Sequence, residues 1–148
     1  MEITAEVEGL DETLAAFALL GYKMPRELKQ GMRQAVLYVL GEIPEYPPEI
    51  EGSRYRRTMT LGRSLSGMAR QGGTRSCLSR VESVAGAVTG VIGTAIPYAE
   101  WVIGEEQALV HKGRWYRLVD VVRQSMPRVV RILQEFVEKA AERLWRPG

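Results

Sequence analysis

The chain has one cysteine and one histidine among its 148 residues. A lone Cys77 excludes an intrachain disulfide and suits a reducing compartment. With His111 it falls short of the three or four ligands that a structural zinc site needs. A Cys77–His111 pair is the one nucleophilic arrangement these two residues allow. It has neither a nucleophile elbow nor a carboxylate cluster beside it in sequence. A phosphate-cradling glycine loop is also missing, because Gly90-x-x-Gly93 lacks the lysine and the following helix that such loops use. No apolar run approaches the ~20 residues of a membrane span. The opening MEITAEVEG is acidic and alternating, unlike a secretory signal peptide. These absences predict a protein that is not an enzyme and that takes no cofactor, no metal and no membrane.

What is present fits one soluble domain spanning 1–148. Hydrophobic residues make up 45% and charged residues 26%, ordinary for a chain with a real core. Net charge is only +2, but it is unevenly spread. Residues 1–51 hold ten acids and four bases. Residues 52–81 hold seven arginines (Arg54, Arg56, Arg57, Arg63, Arg70, Arg75, Arg80) and no acid. The remainder is nearly balanced.

Periodicity predicts the elements. Ile3, Ala5 and Val7 alternate with acids and Thr4, as in a strand wet on one face. Asp11 suits the cap of a short helix carrying Leu14, Phe17 and Leu20. Pro25 suits the first turn of an amphipathic helix whose stripe is Leu28, Met32, Ala35, Val36, Val39 and Leu40. Gly41 and Pro44 stop it. Residues 78–96 alternate as a β-hairpin turning at Ala85-Gly86, and the glycines of its second strand mark a close approach by another group. His111 to Tyr116 reads as a short strand closing the sheet. From Leu118 the pattern is helical to the end, starting near Ser125 or kinking at Pro127.

Residues 45–77 have neither period and read as an extended, flexible loop. So long an irregular segment in so small a domain points to binding. Its arginines suit a protein interface, a solvated surface or contact with phosphates, with Tyr55 as a stacking ring. Tyr98, Trp101, Trp115 and Tyr116 suit packing between the hairpin and the long helix, or an interface. Trp145, just before Arg146-Pro147-Gly148, suits docking onto a neighbour.

Several of these features together resemble the tail-component or head–tail joining family of long-tailed bacteriophages, also described as minor capsid or tail completion proteins. The carrying residues are Gly9-Leu10-Asp11-Glu12, the Tyr46-Pro47-Pro48 corner, Arg57-Thr58-x-x-Leu61-x-x-Ser64, and Pro97-Tyr98-Ala99-x-Trp101-Val102 leading to Gln107. Met59 stands where the family often has glycine. The resemblance spans nearly the whole chain. It implies a structural virion protein, assembled in the host cytoplasm, that forms a ring at the head–tail junction. The ring, commonly sixfold, joins the connector or head-completion protein to the tail tube and lets DNA pass without reading its sequence; the free subunit can be a monomer.

The sequence therefore predicts an α+β domain: a small, mainly antiparallel sheet packed against a middle helix and a long C-terminal helix, with a long extended loop. Interface residues are expected at Tyr46, Arg54, Tyr55, Arg56, Arg57, Thr58, Leu61, Arg63, Ser64 and Trp145. Tyr98, Trp101 and Trp115 are expected to be structural anchors. The rival expectation is a nucleic-acid-binding module using the arginines of residues 54–80, and a third is a small hydrolase using Cys77 and His111.

Overall fold

The computed structural model describes residues 1–5, 25–44, 51–52, 61, 65, 77–84 and 87–145. In chain order the elements are β1 (Glu2–Ala5), α1 (Pro25–Gly41), β2 (Cys77–Val84), β3 (Ala87–Thr94), α2 (Ala99–Ile103) and α3 (Leu118–Trp145). The three strands form one antiparallel sheet in the order β1-β3-β2. Helices α1 and α3 cover one face, so the chain is an α+β domain as its periodicities predict.

The hairpin follows from strict alternation. Val84 pairs with Ala87, Val81 with Gly90 and Ser79 with Ile92. Ala85-Gly86, the expected turn, lie outside the described residues. Alternation sends Ile3, Val81, Val88 and Ile92 toward the helices, where all four join the core. Both strand glycines are places of close approach. A Cβ on Gly90 would stand 2.8 Å from Met32 Sδ and Val36 Cγ2 of α1, and one on Gly93 only 2.2 Å from the Met1 carbonyl oxygen.

Helix α1 opens on Pro25 and buries Leu28, Met32, Ala35, Val36, Val39 and Leu40. Arg33 and Gln34 face water. The helix ends as the Glu42 amide donates to both Tyr38 and Val39 carbonyls, ahead of Pro44. Helix α3 buries Leu118, Val121, Val122, Val129, Ile132, Leu133 and Ala140. It begins at Leu118 and runs through Pro127, so the proline neither starts nor ends it. Proline removes one main-chain donor, which a 28-residue helix packed along its length tolerates. Leu28 meets Ala140, and the missing side chain of Gly31 lets Leu133 and Phe136 come to about 3.2 Å of where its Cβ would lie. The two helices therefore run past each other in opposite senses.

Two expectations are corrected. The segment from His111 to Tyr116 is a succession of turns and not a strand. His111 and Lys112 amides bond to the Ala108 carbonyl, Arg114 and Trp115 amides to the His111 carbonyl, and Gly113 has a φ of 74°. Strand β1 supplies the third strand instead. Within the segment expected to be an extended loop, Leu61 and Leu65 have helical backbone, and they are 4% and 0% exposed. Their spacing of four residues is that of one helical face. Leu65→Ala is expected to cost about 2–5 kcal/mol in chemical denaturation. A loss below about 0.5 kcal/mol would return this position to the surface class.

The outer face of the sheet carries an ion network. Arg80 on β2 reaches across β3 to Glu2 on β1, with Nη1 2.7 Å from Oε1 and Nη2 3.0 Å from Oε2, and its Nε also bonds to Glu82. The hydrogen bonds from Arg80 hold the Glu2 carboxyl below the usual carboxylate range. A carboxylate depressed in the folded state stabilises above its unfolded pKa, and that contribution disappears as pH falls through the folded value. Thermal stability should therefore drop more steeply below about pH 4 in the native protein than in Glu2→Gln. Parallel acid profiles for the two would remove Glu2 from the account.

Candidate functional site

The site is the surface built by residues 97–116, where the chain passes from β3 to α3. Pro97 and Tyr98 turn the backbone out of the sheet. Helix α2 follows with Ala99, Val102 and Ile103 buried. At 100° per residue that pattern leaves Trp101 on the opposite side, and Trp101 is 57% exposed. Gly104 ends the helix, its amide donating to the Glu100 carbonyl at 3.1 Å. A side chain there would lie 2.4 Å from that same carbonyl oxygen.

Gln107 holds the rest in place. Its side chain is buried, and its Nε2 donates to the carbonyls of Val102 at 2.7 Å and of Trp115 and Tyr116 at 3.1 Å each. One amide thereby ties the end of α2 to the approach to α3. The Ala108 amide adds a bond to the Trp101 carbonyl at 2.9 Å. Behind this, Trp115 packs on the core, edge-on to His111 at 6.3 Å and tilted against Tyr116 at 6.4 Å. Partial burial, with Arg114 nearby, lowers the His111 pKa, so its imidazole is held toward the neutral form.

The result is a rigid base under an exposed apolar surface. Leu109 is 85% exposed and Val110 63%, beside Trp101 and a 42% exposed Tyr98. Among the described residues only Leu37 on α1 is another large hydrophobic so exposed, so four of five fall within residues 98–110. Clustered apolar exposure of this kind marks interaction surfaces, whereas scattered exposure does not. Exposed charges neighbour it in sequence: Glu105 and Glu106 precede Leu109 and Val110, and Lys112 and Arg114 follow them.

Beneath α2 lies a cleft of about 270 Å³ lined by Glu2, Glu100, Glu105, Gly104 and Val119. Glu2 is already engaged by Arg80. No group of three or more His, Cys, Asp or Glu suited to holding a metal ion occurs among the described residues. No helix among them is long and apolar enough to cross a membrane.

The expected site residues divide accordingly. Tyr46, Arg54, Tyr55, Arg56, Arg57, Thr58, Arg63 and Ser64 lie outside the described residues, as do the side chains of Trp145 and Cys77. Leu61 belongs to the core and not to an interface. Trp115 is partly buried against the core, whereas Trp101 takes no part in that core and is largely exposed. Tyr98 is also exposed. Arg80, counted in the basic run, is bonded to Glu2 and Glu82 of its own domain. Leu109, Val110 and Gln107 were not expected in the site. The available signal was an apolar step set between an acidic pair and a basic pair, in Glu105-Glu106-Gln107-Ala108-Leu109-Val110-His111-Lys112-Gly113-Arg114.

No protein-family model matches the chain, and neither a curated protein nor a solved structure matches it.

Proposed function

We propose that this chain is a structural assembly subunit, a head–tail joining protein of a long-tailed bacteriophage that forms a ring between connector and tail tube. The observation that carries the assembly reading is the exposed apolar surface of Trp101, Leu109 and Val110 on a base fixed by Gln107. A solvent-facing tryptophan and two aliphatic side chains suit a protein partner, because aromatic and apolar groups dominate the buried centre of interfaces. The same surface begins in Pro97-Tyr98-Ala99-x-Trp101-Val102, one of the four stretches that carry the resemblance to the joining proteins. The assignment to the phage junction rests on that resemblance.

In this reading the arginines Arg54, Arg56, Arg57 and Arg63 meet the acidic surface of an adjacent subunit or of the connector. DNA passes through the ring and no base is read. Electron microscopy of the concentrated protein, alone and with connector and tail-tube proteins, tests the proposal. Rings with closed rotational symmetry that cap either partner are expected. Arg56→Glu with Arg57→Glu should abolish them while circular dichroism stays unchanged. Particles of any other geometry, or rings indifferent to the two charge reversals, would contradict this assignment.

A further inference from the structure

We propose that the outer edge of β2 is a strand-docking site, on which β2 of a second copy of this chain pairs antiparallel about a two-fold axis at Val81. The register of the sheet fixes which backbone groups are open. The Thr94 amide bonds to the Met1 carbonyl and the Met1 ammonium to the Thr94 carbonyl, so the backbone of Thr94 faces β1. Alternation along an antiparallel ladder then turns Ile92 and Gly90 toward β1, and Gly93, Val91 and Thr89 toward β2. Their partners Leu78, Arg80 and Glu82 face inward to β3. That leaves the amides and carbonyls of Ser79, Val81 and Ser83 pointing outward. Among the described residues nothing bonds to them. The strand pairs without a bulge from Cys77 to Val84 and holds no proline, so it lacks two of the devices that keep sheet edges apart.

The chemistry along this edge names the occupant. With Val81 opposite the partner's Val81, Ser79 stands opposite the partner's Ser83, and Arg80 opposite the partner's Glu82. Strand alternation puts Arg80 and Glu82 on the same outer face, where both are exposed. Each Glu82 then lies between its own Arg80 and the partner's Arg80. Unlike charges directly opposed across two strands favour the pair, and like charges oppose it. Moving the axis by one residue sets Arg80 against its own copy or Glu82 against its own copy, so charge selects the register. Helix α1 supplies a second observation. It lies over β2 and β3, whereas α3 lies against β1. Gly31 meets α3, and Met32 and Val36 meet β3 at Gly90, the residue paired with Val81. At 100° per residue, Leu37 falls on the side of Met32 and Val36 away from Gly31, which is the side of the open edge. It is 55% exposed, and the axis at Val81 brings it toward the partner's Leu37. A contact of this extent is smaller than a standard stable interface, so the pair is weak and forms with rising concentration. It uses none of Trp101, Leu109 and Val110, so it does not compete with a ring built on that surface. A ring whose subunits pair this way stacks on a second ring and keeps closed rotational symmetry. The proposal needs neither the ring nor the phage partners.

Sedimentation velocity and amide exchange test it in the whole chain carrying Leu109→Asp and Val110→Asp, which removes the other assembly surface. This chain is expected to pass from monomer to dimer with rising concentration and to stop there. Exchange at the Ser79, Val81 and Ser83 amides should slow as the dimer forms, while the Leu78, Arg80 and Glu82 amides, already turned to β3, do not change. Ser79→Pro removes an outward amide that no internal bond uses, so the fold should stay and the dimer should be lost. Leu37→Asp, Arg80→Glu and Glu82→Arg should each weaken pairing at least about tenfold. Mixing the Arg80→Glu and Glu82→Arg chains should restore the dimer, since one edge is then acidic at both positions and the other basic at both. A merely structural role for these charges gives no such restoration. A monomer at every concentration overturns the proposal, as does a dimer indifferent to Ser79→Pro or a mixture that stays monomeric. A dimer here, with no rings from the native chain, upholds this contact while contradicting the joining role. Rings from the native chain, with only monomer here, do the reverse.

Discussion

Gln107→Glu is expected to lower the stability of the domain by about 3 kcal/mol or more, with a melting temperature some 10 °C lower. The two side chains have nearly the same shape, so packing is unchanged and only the hydrogens differ. The native amide nitrogen lies 2.7 Å from the Val102 carbonyl oxygen and 3.1 Å from those of Trp115 and Tyr116. A carboxylate oxygen there has nothing to donate. It leaves three acceptors facing a buried negative charge, and unpaired buried charge is among the largest penalties a single substitution brings. Acid should partly repair the variant. Its carboxyl is harder to ionise folded than unfolded, so the folded state holds its proton to higher pH and stability recovers as pH falls. Gln107→Leu loses the bonds without adding charge, so its smaller loss should show no such recovery. Equilibrium urea unfolding at several pH values, followed through tryptophan emission, reads both effects. A Gln107→Glu protein as stable as the native one at neutral pH would show that the surface does not depend on this amide.

Gly93→Val should cost about 3 kcal/mol, and its damage should be local to the sheet edge. The Cβ would lie 2.2 Å from the Met1 carbonyl oxygen and 3.0 Å from the Glu2 Cα, both main-chain atoms that no rotamer change can move aside. Strand β1 must then leave β3. The bond from the Thr94 amide to the Met1 carbonyl and the bond from the Met1 ammonium to the Thr94 carbonyl, each 3.1 Å, go with it. The Arg80 bridge to Glu2 is lost as well. Hydrogen exchange should show protection vanishing over Glu2–Ala5 while α1 and α3 keep theirs. Gly41→Ala is the control: nothing lies within 4 Å of its Cβ, so stability should be unchanged or slightly higher. Retained protection over Glu2–Ala5 in Gly93→Val would contradict the observed pairing of β1 with β3.

Much of the fold was legible because burial imposes a period. The stripe from Leu28 to Leu40 and the alternation from Leu78 to Thr94 each have a single solution that hides their apolar residues. The strand glycines were legible for a related reason, since a residue without a side chain inside a strand implies something pressing on it. The helical pattern from Leu118 was legible as well; of the two readings of Pro127, the start near Ser125 gives way to a helix that is continuous from Leu118. His111 to Tyr116 misled because its aromatics suit a strand, whereas Gly113 takes the left-handed conformation of a turn. Leu61 and Leu65 were hidden by the glycines and arginines around them.

The site was less legible. Trp101 was expected to pack between the hairpin and the long helix because an indole suits a place with one apolar side, but its exposure is set by its position in α2 relative to Ala99, Val102 and Ile103. Two apolar residues such as Leu109 and Val110 carry no period, so nothing in the sequence says whether they face in or out. The role of Gln107 depends on carbonyls five to nine residues away and is visible only once the turns are folded.

The most direct test of the central claim, that this is an assembly protein and not a nucleic-acid-binding module, is its mass by light scattering across protein concentration at physiological salt, with and without a short DNA duplex. The account predicts mass that rises with protein concentration and is indifferent to DNA. A protein that stays monomeric alone but binds the duplex tightly, with affinity falling steeply as salt rises, would contradict it.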